Sequence, residues 1–68
     1  MKTSSEYKSI AAKAAVLERA GNFSDAAVLW RQAKEVAVLK ARQDWAGVRA
    51  NFCDMQSRRL AAKNGGVA

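Results

Sequence analysis

The chain has no histidine, no proline and a single cysteine, Cys53. One cysteine cannot form a disulfide within a chain, and without histidine the scattered acids supply no ligand set for a structural zinc ion. A core built from 68 residues rarely contributes more than about 3–5 kcal/mol without such a cross-link. We therefore expect one small domain over residues 1–68 that relies on self-association or on a partner.

The residue patterns of enzymes are also missing. There is no histidine for proton transfer, no glycine-rich phosphate loop, and no cysteine or aspartate cluster with metal-ligand spacing. Cys53 has no histidine to activate it, so a small apolar residue in a core or interface is favoured over a reactive thiol. We expect no enzymatic activity, no cofactor and no metal.

No apolar run approaches the length of a membrane span. The first five residues lead into Glu6 and Tyr7 rather than into the apolar segment of a signal peptide. With one thiol and no export signal, we expect a cytoplasmic protein that does not bind a membrane.

Lysine and arginine number 12 against 6 aspartates and glutamates, which gives a net charge of +6. Such a charge favours nucleic-acid binding, because cations that neutralise phosphates release counterions. The cations are nevertheless spread along the chain, with Arg58-Arg59 as the longest block. The one good glycine turn is followed by small and apolar residues that cannot read bases. A small basic DNA-binding or nucleoid-associated regulator is therefore the alternative hypothesis.

The spacing of apolar residues predicts an all-α fold that begins with a helix over about residues 4–20. Thr3 and Glu6 fit a capping box at its start. Gly21 follows the last periodic residue, where glycine closes a helix by adopting the left-handed conformation. One face carries apolar residues at three- and four-residue intervals, namely Tyr7, Ile10, Ala11, Ala14 and Leu17.

A second helix is predicted over about residues 24–39. Ser24 with Asp25 makes an N-terminal cap, and Phe23 can pack back on the helix as a hydrophobic staple. The apolar residues of this helix cover more surface than one neighbour would bury, which predicts a second contact. They are the stripe Ala26, Trp30, Ala33 and Ala37, widened by Ala27, Leu29, Val36 and Val38.

The sequence does not define where this helix ends, because the segment from Phe23 to Trp45 contains no glycine or proline. In one interpretation, a short turn over residues 42–44 is followed by a third long helix over about 43–62, capped by Asp44. In the other, the second helix continues unbroken through Trp45.

The apolar positions of this region alternate spacings of three and four, which is a heptad seam. Such a seam forms either the intrachain core or a pairing face. Gly47 lies inside it and costs about 1 kcal/mol relative to alanine, so it marks a close backbone approach or a weak point. Residues 64–68 are predicted to be a flexible tail. The seam comprises Val38, Ala41, Trp45, Val48, Phe52 and Met55.

The turn and its flanking helices resemble a single tetratricopeptide unit. Ala14, Ala26 and Ala33 are small residues at the spacing of that unit, and Trp30 lies between the last two. One repeat cannot form an array. The resemblance implies an antiparallel helix hairpin with an open face for another helix.

Three blocks of the sequence carry a broader resemblance, AAVLERAGNF, AAVLWRQA and WAGVRANFC. Their most specific parts are the Glu-Arg-x-Gly-x-Phe turn, Leu-Trp-x-x-Ala, and Trp-Ala-x-x-Arg-Ala-x-Phe-Cys. Over about residues 7–60 the chain is similar to the ANR family, the small AraC negative regulators of enteric bacteria and their mobile elements.

This resemblance implies a cytoplasmic regulator that binds virulence activators of the AraC/XylS type and keeps them from dimerising or from activating promoters. Some members are also credited with binding the histone-like nucleoid-structuring protein. A small body with surplus apolar helix surface and no catalytic residues is better suited to such binding than to acting on a substrate.

We therefore predict that one face of the third helix mediates homodimerisation or binds the dimerisation helix of the activator. For Trp30 a place in the core is favoured, whereas for Trp45 core and interface are equally open. Gly21 and Phe23 are assigned structural roles in the turn. Flanking arginines, Arg42, Arg49, Arg58 and Arg59, would meet acidic patches and raise association rate and specificity. The predicted interface comprises Trp30, Trp45, Val48, Arg49, Phe52 and Met55.

Overall fold

The computed structural model describes the backbone of residues 4–65 and the side chains of residues 5–61. These residues form three helices, α1 (Ser4–Arg19), α2 (Phe23–Val36) and α3 (Lys40–Gly65). The all-α class predicted from the apolar spacing is thereby confirmed. Both α1 and α3 pack against α2.

The turn after α1 is a Schellman motif built around Gly21. The backbone φ of Gly21 is +85°, a conformation in which a Cβ would be strained. The amide of Gly21 donates to the carbonyl of Glu18 at 3.0 Å, and the amide of Asn22 donates to that of Leu17 at 2.8 Å. These bonds satisfy carbonyls that the helix end leaves free. The predicted role of Gly21 is confirmed, whereas the capping role of Thr3 lies outside the described residues.

The start of α2 differs from the prediction. The helix begins at Phe23 and its N-cap is Asn22, which makes no side-chain capping bond. The cap predicted at Ser24 is therefore wrong, since that hydroxyl lies 2.9 Å from the hydroxyl of Ser57 in α3. Asp25 lies in the first turn, where its carboxylate interacts favourably with the positive end of the helix dipole.

The helical periodicity of α1 and α2 is confirmed by burial. Tyr7 and Ala14 are buried on α1 and the other members of its stripe pack against the core. The α2 stripe of Ala26, Trp30, Ala33 and Ala37 is also buried. Most of these residues are alanines, so the helix backbones approach closely and the core is thin. The tetratricopeptide-like arrangement of α1 and α2 stays a prediction.

The chain breaks between α2 and α3 at residues 37–39. Ala37 is extended, with φ −69° and ψ 131°, and its carbonyl accepts a 3.0 Å hydrogen bond from the side-chain amide of Gln43. The interpretation with two separate helices is right and the continuous helix is wrong. The break nevertheless precedes the predicted turn, because the backbone leaves the helix where Ala37 packs into the core.

α3 is longer than predicted, since it runs from Lys40 to Gly65. Asp44 lies inside the helix and does not cap it. Asn64 and Gly65, predicted to be tail, belong to α3, and residues 66–68 lie outside the described residues. At 1.5 Å per residue, a helix of 26 residues extends about 39 Å. α3 thus accounts for most of the 47 Å length of the molecule.

Candidate functional site

One side of α3 exposes four large apolar side chains. The exposed fractions are 54% for Trp45, 61% for Val48, 39% for Phe52 and 55% for Met55. Their spacings of three, four and three place them on one helix face. We call this set the α3 apolar face. The heptad seam predicted from the sequence is therefore on the surface along these positions and not in the core.

The residues of α3 that pack into the core are small. Ala46, Ala50 and Cys53 are buried and are again spaced by four and three. A turn of 100° per residue separates this stripe from the α3 apolar face by more than a third of the helix circumference. The heptad seam predicted from the sequence did not include Ala46 or Ala50. α3 therefore presents its small residues to α2 and its large residues to solvent.

Arg49 lies on α3 between the buried stripe and the α3 apolar face. Its Nε donates to Oε1 of Glu18 at 3.2 Å, and a terminal nitrogen bonds the other carboxylate oxygen. This two-point contact fixes the plane of the guanidinium group. The arginine side chain is 26% exposed and that of Glu18 only 14% exposed. The ion pair links α1 to α3.

The same guanidinium group contacts two aromatic rings of the α3 apolar face. The Cζ atom of Arg49 lies 4.5 Å from the ring centroid of Phe52 and 5.7 Å from that of Trp45. Both distances are within the range of cation–π attraction. Phe52 also meets Phe23 of α2 edge to face, with centroids 6.3 Å apart. The aromatic side chains of the face are thus fixed by contacts before any partner binds.

Glu18 is the centre of this arrangement, and its role was not predicted from the sequence. Besides Arg49, its Oε1 accepts hydrogen bonds from Nε1 of Trp30 and from the thiol of Cys53 at 3.2 Å. A signal was available, since Glu18 follows the buried Ala14 by one helical turn. A carboxylate at that position must find partners or destabilise the fold.

These contacts shift three ionisation equilibria. Burial opposes ionisation of Glu18, but the bonds from Arg49, Cys53 and Trp30 outweigh it, so the pKa of the carboxyl lies below its usual value. The bond to Glu18 raises the pKa of Arg49. Burial, with the thiol donating to Glu18, raises the pKa of Cys53 to about 12. The thiol stays protonated at neutral pH, which disfavours the reactive-thiol interpretation.

The structure separates the two tryptophans. Trp30 is 5% exposed and belongs to the core, as the favoured interpretation predicted. Its inclusion in the predicted interface is therefore wrong, because the side chain is buried and its indole nitrogen donates to Glu18. Trp45 lies on the surface. Of the predicted interface residues, the structure brings together Trp45, Arg49 and Phe52 by direct contact, with Val48 and Met55 beside them on the same face.

A second apolar surface lies between α1 and α2. It is a shallow groove of about 450 Å³ lined by residues of both helices. Leu17 and Leu29 were predicted to lie on apolar helix faces, but a groove between the two helices was not predicted. Its lining residues are Ala12, Lys13, Val16, Leu17 and Leu29.

Among residues 4–65, no helix is long and apolar enough to cross a membrane. The described side chains contain no group of three or more potential metal ligands. No protein family, curated protein or solved structure matches the chain.

Proposed function

We propose that the chain is a small cytoplasmic transcriptional regulator that acts by protein–protein binding. Its target is an AraC/XylS-type activator, which it keeps from dimerising or from activating promoters. The resemblance to the ANR family supports the identity of the target. The observation that carries the binding function is the α3 apolar face, whose two aromatic rings contact an arginine held by an ion pair.

The composition of this face suits a protein partner. Tryptophan, phenylalanine, methionine and arginine are enriched in protein interfaces. Trp45 and Phe52 lose little side-chain entropy on binding, because Arg49 already restricts both rings. The linear arrangement along α3 fits an amphipathic helix whose own apolar residues recur every three or four positions.

The flanking arginines have different roles in this proposal. Arg49 is neutralised by Glu18, and the guanidinium of Arg42 lies 5.3 Å from the ring centroid of Tyr7. Arg58 is largely exposed and pairs with Asp54 one turn earlier at 3.2 Å. Charge steering towards an acidic partner therefore falls mainly to Arg58 and Arg59, whereas Arg49 orients the aromatic rings.

Titration calorimetry with a purified AraC/XylS-type activator tests the proposal. Val48→Asp places a charge in the centre of the α3 apolar face and is expected to abolish binding. Val28→Asp is the matched control, because Val28 is 48% exposed on α2, outside this face. It should bind like the wild type, and both variants should keep the wild-type helix content by circular dichroism.

A gel-shift at physiological salt distinguishes the proposal from DNA binding. A specific binder prefers its site over competitor DNA by at least about 10³-fold. The protein alone should show no such preference. Normal activator binding by Val48→Asp contradicts the proposed surface. A specific DNA complex without activator contradicts the proposed mode of action.

A further inference from the structure

We infer that the α3 apolar face pairs with the same face of a second copy of the chain, with the two α3 helices antiparallel. The homodimer predicted from the sequence is thereby given a surface, an orientation and a register. The inference does not depend on an activator, and its test uses this chain alone.

The apolar residues define the register. Trp45 and Phe52 occupy one core position of the heptad, and Val48 and Met55 occupy the other. In an antiparallel pair centred on residue 50, Trp45 lies opposite the Met55 of the second copy, and Val48 lies opposite its Phe52. Each of the four layers then joins a larger residue to a smaller or more flexible one. A parallel pair would instead oppose Trp45 to Trp45 and Val48 to Val48.

The charges beside the face favour the same orientation. Asp44 precedes Trp45 and Arg58 lies two heptads further on the same flank. Antiparallel helices bring each flank against the identical flank of the other copy. Flanking residues pair with an offset of about two residues relative to the core layers, so in this register Asp44 meets the Arg58 of the second copy, and twofold symmetry repeats the contact.

Both groups are accessible for this contact. Asp44 is exposed, and the three ion pairs found among the described side chains do not include it. Arg58 pairs with Asp54 of its own helix at 3.2 Å, but its side chain is 79% exposed, so it can also meet a carboxylate of the second copy. In the parallel alternative, Asp44 would face Arg49, whose side chain is only 26% exposed and is held by Glu18.

The other flank tolerates the antiparallel arrangement. It brings Arg49 against the Arg49 of the second copy, a contact between like charges that would normally be unfavourable. Here each guanidinium is neutralised by its own Glu18. Arg42 falls opposite Gln56 on this flank, which adds no repulsion.

Sedimentation equilibrium over a concentration series tests the pairing. The wild type is expected to dimerise reversibly, Val28→Asp to dimerise equally well, and Val48→Asp to remain monomeric. Asp44→Arg and Arg58→Asp each replace two attractive contacts by repulsive ones. At about 0.7 kcal/mol for each of the two exposed pairs lost, the dissociation constant should rise about tenfold in each variant.

Swapping the charges of Asp44 and Arg58 tests whether the two α3 helices are antiparallel. The double variant Asp44→Arg/Arg58→Asp restores both antiparallel contacts and should dimerise like the wild type. An equimolar mixture of the two single variants should form mixed dimers in preference to either homodimer. The inference is overturned by a wild type that stays monomeric, by a Val48→Asp dimer, or by a double variant as weak as the single ones. None of these results decides activator binding, which has its own test.

Discussion

The core and the α3 apolar face divide the residues of this small protein by size. The core consists largely of alanines, with Trp30, Tyr7 and Cys53 as its larger members. The α3 apolar face exposes a tryptophan, a phenylalanine, a methionine and a valine. Burial of large side chains normally stabilises a fold, at about 25 cal/mol per Å² of apolar surface. The difference indicates that close helix packing forms the fold and that the larger residues are available for contact with another chain.

The two tryptophans give the largest contrast. Trp30→Ala removes a buried indole and leaves a cavity, so the free energy of unfolding should fall by about 3–5 kcal/mol. Trp45→Ala removes an exposed ring and one cation–π contact, so the loss should stay under about 1 kcal/mol. Urea titration followed by circular dichroism measures both. Equal losses in the two variants would contradict the division between core and face.

Two neighbouring positions of α3 sharpen the comparison. Ala46 is fully buried against α2, and Ala46→Leu should destabilise the protein by about 1–3 kcal/mol because the helices must move apart. Val48→Leu, two residues further on, is the matched enlargement on the α3 apolar face. It should change the free energy of unfolding by less than about 0.5 kcal/mol. A stabilising Ala46→Leu would show that the core is loosely packed.

Removal of the Glu18 charge, which links the core to the α3 apolar face through Arg49, is expected to lower the free energy of unfolding. Glu18→Gln keeps the shape of the side chain but loses the ion pair with Arg49 and weakens the bonds from Trp30 and Cys53. The free energy of unfolding should fall by about 1–3 kcal/mol at pH 7. Thermal unfolding measures the difference, and Asp25→Asn in the first turn of α2 is a control for the loss of a helix-end charge.

The same variant has a predicted pH dependence. The pKa of Glu18 is lower in the folded chain than its ordinary value of 4.5. Its contribution to stability is therefore present above that value and is lost as the pH falls through the folded pKa. The gap between the wild type and Glu18→Gln should narrow on acidification below about pH 4.5. A gap that stays constant down to acid unfolding would show that the charge of Glu18 is unimportant.

Replacement by alanine at Gly21 and at Gly47 should change the free energy of unfolding with opposite signs. Gly21→Ala forces a Cβ into the left-handed region and should destabilise the protein by about 1–2 kcal/mol. Gly47 lies within α3, where a Cβ would meet only Lys34 side-chain atoms at 3.6–3.7 Å, an ordinary contact distance. Gly47→Ala should therefore stabilise the protein by about 0.5–1 kcal/mol. A destabilising Gly47→Ala would indicate a closer helix approach there.

The features predicted correctly from the sequence are local ones. The α1 and α2 stripes follow from helical periodicity, and the turn at Gly21 follows from the unique freedom of glycine. The break at Ala37 was misplaced because no glycine or proline marks it. It depends on burial of Ala37 and on a side-chain bond from Gln43, and both are tertiary effects that a periodic pattern does not report.

The candidate site was predicted in part. Heptad spacing identified Trp45, Val48, Phe52 and Met55 without indicating whether they face the core or solvent. They face solvent because α2 packs against the other side of α3, where Ala46 and Ala50 are small enough to allow a close approach. The role of Glu18 was missed because its partners lie 12, 31 and 35 residues further along the chain.

The most direct test of the central claim is the light-scattering mass of the wild type and Val48→Asp, each alone and mixed with a purified AraC/XylS-type activator. We expect the wild type to self-associate at high concentration and to form a mixed complex with the activator. Val48→Asp, although folded, should do neither. A folded Val48→Asp protein that forms the same assemblies as the wild type would contradict the claim that the α3 apolar face binds other chains.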